Sequence, residues 1–252
     1  MIAISNRNSN HMAMLARFYP AILLAACALA APAPPRQLAL ALHESGPTAM
    51  TITWACEEPY SAASSGSVTW APAGAAERAR SAPASSVHTY NAGWGWNGTL
   101  FFAEMTGLVP GARYSYAVTS NGVASNASVF SAAPLPAPDA TVKIGVLADM
   151  GTIELFGWTV AAAVIKEHTA SPFDLIFIAG DLAYATVDPP KNELQRLWDL
   201  WGLQNEPFSS TAPFMMTVGV RIPFHLWSLL ACGSATLITY SPRAPSPPLC
   251  VL

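Results

Sequence analysis

The chain has 252 residues, of which 52% are hydrophobic and 11% charged, with a formal net charge of -3. That length sets a prior of one large domain or two modest ones, and the composition is richer in apolar residues and poorer in charge than an average soluble domain. The basic residues are scattered, so charge makes no case for a nucleic-acid partner, and none is expected.

The N-terminus reads as a targeting segment. Arg7 and Arg17 precede an apolar run, Phe18 to Ala31, which contains AILLAACALA and the small-residue site Ala28-Leu29-Ala30. The run is short for a bilayer span, so a signal peptide over residues 1–31 is the expectation and a short membrane anchor the alternative. The long leading region leaves Met12 or Met14 as alternative starts. The expected localisation is secreted, that is, extracellular. Cys27 would leave with the signal, and Cys56, Cys232 and Cys250 show no C-x-x-C spacing, which argues against a zinc knuckle. The sequons at Asn97 and Asn126 mark two glycosylation candidates and agree with a secreted route.

After the Pro/Ala-rich junction, segments of alternating pattern follow. Gln37 to Glu44, Ala49 to Cys56, Ser67 to Pro72, Thr99 to Met105, Arg113 to Ser120 and Ala127 to Ala132 read as short strands separated by Gly, Pro and Ser. No helical window interrupts them. Residues 36–133 are therefore expected to form a small all-β sandwich of immunoglobulin-like or fibronectin-like size.

Residues 134–141 are a proline-rich linker, and beyond it the texture changes. Val142 to Asp149 and Phe173 to Asp181 are nearly continuous apolar strands. Gly157 to His168 and Lys191 to Gly202 have helical spacing, the second with Leu194, Leu197, Trp198 and Trp201 on one side. Pro213 to Gly219 reads as a third strand. The order β-α-β-α-β predicts a parallel sheet covered on both faces, spanning residues 142–219. Residues 220–252 carry no acidic residue and no interpretable period, and read as an aberrant apolar, proline-rich tail. The stretch Phe224 to Tyr240 is apolar but makes no firm membrane span.

Chemistry is expected where parallel strands end, since ligands gather outside their carboxyl ends. Asp149 ends one strand and Asp181 the next. Neighbouring strands lie about 4.8 Å apart, and two carboxylates that close repel unless one is protonated or a cation lies between them. Oxygen ligands suit hard cations. Tyr184 follows in the loop of Asp181, and a very acidic cation such as Fe(III) can hold a tyrosinate. An Asp after a strand is also commonly a helix N-cap, a reading open to Asp149. No Gly-rich phosphate loop opens either helix, which argues against a nucleotide site.

These residues resemble a known family. LADMG (Asp149-x-Gly151) followed by GDLAY (Gly180-Asp181-x-x-Tyr184) resembles the first two blocks of the purple acid phosphatases, in the calcineurin-like metallophosphoesterase superfamily. LVPGARYSYAV, Leu108 to Val118, resembles the fibronectin-like N-terminal domain of the plant-type members. The resemblance spans roughly Leu38 to Gly219 and implies an all-β fibronectin-like sandwich followed by a partial α/β metallophosphoesterase domain. It implies an acid phosphatase acting on phosphate monoesters through a binuclear centre of Fe(III) and a divalent Zn, Mn or Fe. Asp149 would bind Fe(III), Asp181 would bridge the two metals, and Tyr184 would bind Fe(III) and give the purple colour.

The sequence departs from the family after Gly219. The family's next block is Gly-Asn-His-Glu, but Val220 and Arg221 stand where Asn and His are needed. Two later histidine blocks are not present. His11, His43, His88, His168 and His225 lack ligand spacing. The divalent side keeps only Asp181, so the expectation is a truncated, weakly active or inactive phosphatase. The tail reads as out-of-frame or intron-derived sequence. The competing readings are a secreted, non-catalytic fibronectin-like binding module with a vestigial α/β remnant, and a protein tethered through Phe224 to Tyr240.

Overall fold

The computed structural model describes residues 33–57, 64–91, 97–152, 156–185, 196–217 and 236–240. The proposed signal peptide, the Gly219–Val220 junction, His225, Cys232 and Cys250 lie outside the described residues.

The first half is two packed antiparallel sheets. One has the order β1 (Arg36–Leu42), β2 (Ala49–Cys56), β6 (Asn97–Thr106), β5 (Ser86–Asn91). The other runs β4 (Arg80–Pro83), β3 (Gly66–Pro72), β7 (Arg113–Ser120), with β8 (Val123–Ala124) and β9 (Ser128–Ser131) both paired to β7. Alternation dictates the packing, because successive side chains point to opposite faces. On β7, Tyr114, Tyr116, Val118 and Ser120 are buried while the residues between them are half-exposed. They meet Leu38, Leu40, Met50, Ile52, Trp54 and Phe101 from the facing sheet.

Aromatic geometry fixes the core further. Trp54 stacks on Phe101 with centroids 5.3 Å apart, and its indole N–H donates to Ser120 Oγ at 2.7 Å. Gly66 sits against the same rings, where a Cβ would clash with Phe101 and Trp54. The Tyr114 hydroxyl accepts from the Val109 N–H at 2.9 Å, closing the corner that leads into β7. Such a tyrosine at the start of a strand is a recurrent device of immunoglobulin-like sandwiches.

The second half holds three parallel strands, β10 (Val142–Leu147), β11 (Leu175–Ile178) and β12 (Phe214–Met216). Helix α1 (Gly157–Ala170) connects the first pair, and α2 (Arg196–Ser209) lies between the second pair. Leu147, Ile176, Ile178 and Phe214 share one face of the sheet and form a single cluster with Ala161 and Val164 of α1 and Leu197, Trp201 and Phe208 of α2. The alternate residues Ile144, Val146, Phe177 and Met215 are half-buried. The expected helical cover on both faces is therefore not what is found: among the described residues both helices draw on one face. Right-handed crossovers between strands added in one direction place successive helices on the same side.

Two further differences concern the ends. Helix α2 continues past Gly202 to Ser209, through Pro207. Gly202 is not a stop; its missing Cβ gives room for the Gln37 side chain. The segment read as an aberrant, apolar, proline-rich tail supplies β13 (Thr236–Tyr240), which pairs antiparallel with β10. The sheet order is thus β12-β11-β10-β13. A fourth strand removes one of the bare edges that three parallel strands would leave.

The two halves share an interface along β1. A bulge between Arg36 and Ala39 puts Gln37 in left-handed backbone, with φ 57°. Bulges re-aim side chains. Here Arg36 makes a paired contact with both Asp199 carboxylate oxygens, at 3.0 and 3.1 Å, and Gln37 donates to the same carboxylate. The Gln37 N–H donates to Glu206 Oε2 at 2.7 Å, and Ser209 Oγ donates to the Leu38 carbonyl at 2.7 Å. Burial raises the pKa of both Asp199 and Glu206 from the ordinary carboxylate range, partly opposed for Asp199 by Arg36 and for Glu206 by the Gln37 N–H. Tyr116 crosses the same junction, its buried hydroxyl donating to the Ser210 carbonyl at 2.7 Å.

Candidate metal centre

The site lies at the carboxyl ends of β10 and β11, which run in register from Ile144 opposite Leu175 to Leu147 opposite Ile178. Past the strands the two loops stay stitched together. Ala179 N–H donates to the Leu147 carbonyl at 2.7 Å, Asp149 N–H to the Gly180 carbonyl at 3.3 Å, and Gly151 N–H to the Leu182 carbonyl at 2.7 Å. Asp149, Asp181 and Tyr184 are all half-buried there.

The side chains converge. The Tyr184 hydroxyl donates to Asp149 Oδ1 at 2.5 Å and lies 3.5 Å from Asp181 Oδ2. Burial raises the Tyr184 pKa, and the hydrogen bond and negative charge of Asp149 push it further in the same direction, with Asp181 adding to both effects. The phenol is thereby kept protonated between two carboxylates. A cation in its place would reverse that balance, since a nearby positive charge favours the ionised form.

Backbone conformation singles out the same residues. Asp149, Asp181 and Tyr184 have φ of 51°, 49° and 53°, and among the described residues the other non-glycine residues in this region of φ are Gln37, Asn121 and Phe156. A left-handed conformation costs a residue with a Cβ about 1–2 kcal/mol, somewhat less for Asp. Such residues cluster at functional sites, held by their surroundings. Asp149 does not cap α1: the residue preceding that helix is Phe156, with no side-chain cap.

Residues that sequence reasoning did not name support the loop. Gln204 of α2 donates from Nε2 to the Gly151 carbonyl at 2.7 Å. Gly157, the first residue of α1, packs on the Met150 and Gly151 carbonyls where a Cβ could not fit. A polar residue on an otherwise amphipathic helix gave no sequence signal for the first. The glycine opening a helix was a weak signal for the second.

Other predicted residues are placed elsewhere. Asn126 is exposed between β8 and β9, whereas Asn97 opens β6 with its side chain outside the described residues. His168 is structural: Nδ1 accepts from the Phe173 N–H at 3.0 Å, and Nε2 lies 3.0 Å from Thr211 Oγ1. Among the described residues no group of three or more His, Cys, Asp or Glu is placed to hold a metal. The oxygen set at this site is two carboxylates and a phenol. A cavity of about 320 Å³, walled by Trp198, Trp201, Phe214 and Met216 beside Gln37, is apolar and contains none of the three. No helix among the described residues is long and apolar enough to cross a membrane.

Comparison with known proteins gives this arrangement a context. A family model described as the N-terminal domain of purple acid phosphatase matches residues 35–132, which is the β-sandwich. The chain is related to the purple acid phosphatases. It is 29% identical over 168 residues to Probable inactive purple acid phosphatase 1 of Arabidopsis thaliana, covering 59% of this chain and 25% of that protein. It is 28% identical over 123 residues to Purple acid phosphatase 22 of the same plant, covering 49% and 24%. The chain thus spans about a quarter of the length of these purple acid phosphatases. In fold it is similar to a purple acid phosphatase, PPD1, from yellow lupin (Lupinus luteus) seeds, with a TM-score of 0.62 and 23% identity over 74% of this chain and 35% of that one.

Proposed function

We propose that this chain carries the iron side of a secreted purple acid phosphatase site, with Asp149, Asp181 and Tyr184 as its Fe(III) ligands, and that it hydrolyses phosphate monoesters weakly or not at all. The observation that carries the reading is the convergence of three oxygen donors at the ends of two parallel strands, each on a left-handed backbone. An all-oxygen set fits a hard cation. In the binuclear form of such a site, two metals supply an activated hydroxide and clamp the phosphate oxygens. This chain's own groups would orient the iron and donate charge to it from Tyr184.

The divalent partner site is not formed in this reading. Asp181 is the one ligand it keeps, and Val220 and Arg221 occupy the positions of the family's Asn and His. Two of the curated relatives carry names that describe them as probably inactive. Residues 36–133 would be the fibronectin-like domain and 142–219 part of the phosphoesterase domain. The residues up to Ala31 would be a signal for secretion, with Asn97 and Asn126 glycosylated.

The test is iron loading of the whole chain. A visible tyrosinate-to-Fe(III) absorption band is expected, lost in Tyr184→Phe and in Asp181→Asn, with little or no p-nitrophenyl phosphate hydrolysis. A chain that takes up no iron, or a band that survives Tyr184→Phe, overturns the ligand assignment. Turnover typical of a phosphatase would overturn the reading of an incomplete second site.

A further inference from the structure

We propose that Gln204 is a positioning residue of the Asp149–Asp181–Tyr184 centre, and that through helix α2 it lets the β-sandwich hold that centre in shape. The inference rests on the reading of those three residues as the metal site.

The chain of contacts is short. Gly151 is buried, with φ 58°, two residues after Asp149. Its N–H is bound by the Leu182 carbonyl in the loop of Asp181 and Tyr184. Its carbonyl is bound by Gln204 Nε2 at 2.7 Å, from a helix 53 residues away. One residue therefore ties the first ligand loop to the second through its N–H and to α2 through its carbonyl. Three ligand candidates in left-handed backbone need such external restraint, because the local chain does not favour that conformation.

The same helix is fixed on its other flank. Asp199 and Glu206 are held by Arg36 and by the Gln37 side chain and N–H on the bulge of β1. Ser209 is held by the Leu38 carbonyl. Gln204 lies between these anchors in sequence and projects the opposite way, to Gly151. The sandwich edge, α2 and the ligand loop thus form one hydrogen-bonded series, in which Gln204 is the last link before the centre.

Two measurements on the whole chain test this. In the metal-free protein, Gln204→Met keeps side-chain length and helix propensity but removes the donor. Losing one such hydrogen bond is expected to speed amide exchange about twofold to tenfold at residues 149–151 and 181–184, leaving the protected amides of β7 and β2 unchanged. In the iron-loaded protein the same variant is expected to shift or weaken the tyrosinate band, while the melting temperature changes little. Gln204→Lys, which returns an N–H donor at similar reach, should restore the band. Unchanged exchange in both loops overturns the proposal. So does a general rise in exchange across the fold, which would make Gln204 merely structural, and so does a band that Lys does not restore. If the wild-type chain shows no band, the iron assignment fails on its own, and the exchange measurement still decides whether Gln204 holds the loops.

Discussion

Replacing Gly157 with alanine should disturb the candidate centre from outside it. Gly157 opens α1, is buried, and donates its N–H to the Thr152 carbonyl at 2.6 Å. An added Cβ would fall well inside the 3.0 Å that real Cβ atoms keep, and the atoms it meets are the backbone carbonyls of Met150 and Gly151. Neither can rotate away like a side chain. Either the start of α1 or the Asp149 loop must retreat by roughly 1 Å, an overpacking change that typically costs about 1–3 kcal/mol. Alanine's better helix propensity offsets at most about 1 kcal/mol of that. Taking the middle of that range, about 2 kcal/mol, and an offset of at most about 1 leaves a net loss of about 1–2 kcal/mol, which corresponds to a fall in melting temperature of roughly 2–8 °C for a chain of this size. Thermal unfolding followed by circular dichroism measures it. The exposed, mid-helix change Ala162→Gly serves as control: it should cost roughly 1 kcal/mol through helix propensity alone, and leave iron uptake untouched. If Gly157→Ala melts within a degree of wild type, the close approach of α1 to the ligand loop is not as described and the steric argument fails.

Two other perturbations probe the sandwich and the helix junction. Ser120→Ala leaves the buried Trp54 indole N–H without its acceptor, and should cost about 1–3 kcal/mol in urea unfolding; a loss below half a kcal/mol would mean the bond contributes little. His168 has its pKa lowered from 6.5, first by burial and then by Lys143. A depressed folded value means that its stabilising contribution is present above pH 6.5 and is lost as the pH falls through the folded pKa. Asp199 and Glu206 act the other way: their raised values make a contribution present below the unfolded carboxylate range and lost as pH rises through the folded pKa. Comparing wild type with His168→Gln cancels those carboxylates. The difference in urea midpoint should be larger at pH 7.5 than at pH 5, and an equal difference at both would refute the assignment.

The sequence was most readable where side-chain period and burial coincide. Arg113–Ser120 alternates cleanly because one face lies in the core, and Ala49–Cys56 alternates through its middle, from Met50 to Trp54, for the same reason. Arg80–Pro83 and Ser86–Asn91 were not recognised, since they lie at sheet edges, where partners rather than period define a strand. Thr236–Tyr240 has the β-branched content of a strand, but its neighbours gave no pattern, and its pairing with β10 depends on chain nearly a hundred residues away. At the candidate centre, residue types and their place after apolar strands could be read directly. The left-handed backbone, the Tyr184–Asp149 hydrogen bond and the hold of Gln204 on Gly151 are products of two loops and helix α2 meeting, which no local window contains.

The bulged strand β1 has a consequence for dissection of the chain. Its outer edge is engaged by Glu206 at the Gln37 N–H, by Ser209 at the Leu38 carbonyl, and by Pro213 in a parallel bridge to Leu40. Cutting within residues 134–141 to isolate the sandwich would strip all three away together. The fragment would present a bare edge strand and lose the Tyr116 bond to the Ser210 carbonyl, and such edges recruit other strands. The proline-rich segment therefore joins two parts that should melt as one cooperative unit, and the excised sandwich should self-associate rather than remain a well-behaved monomer.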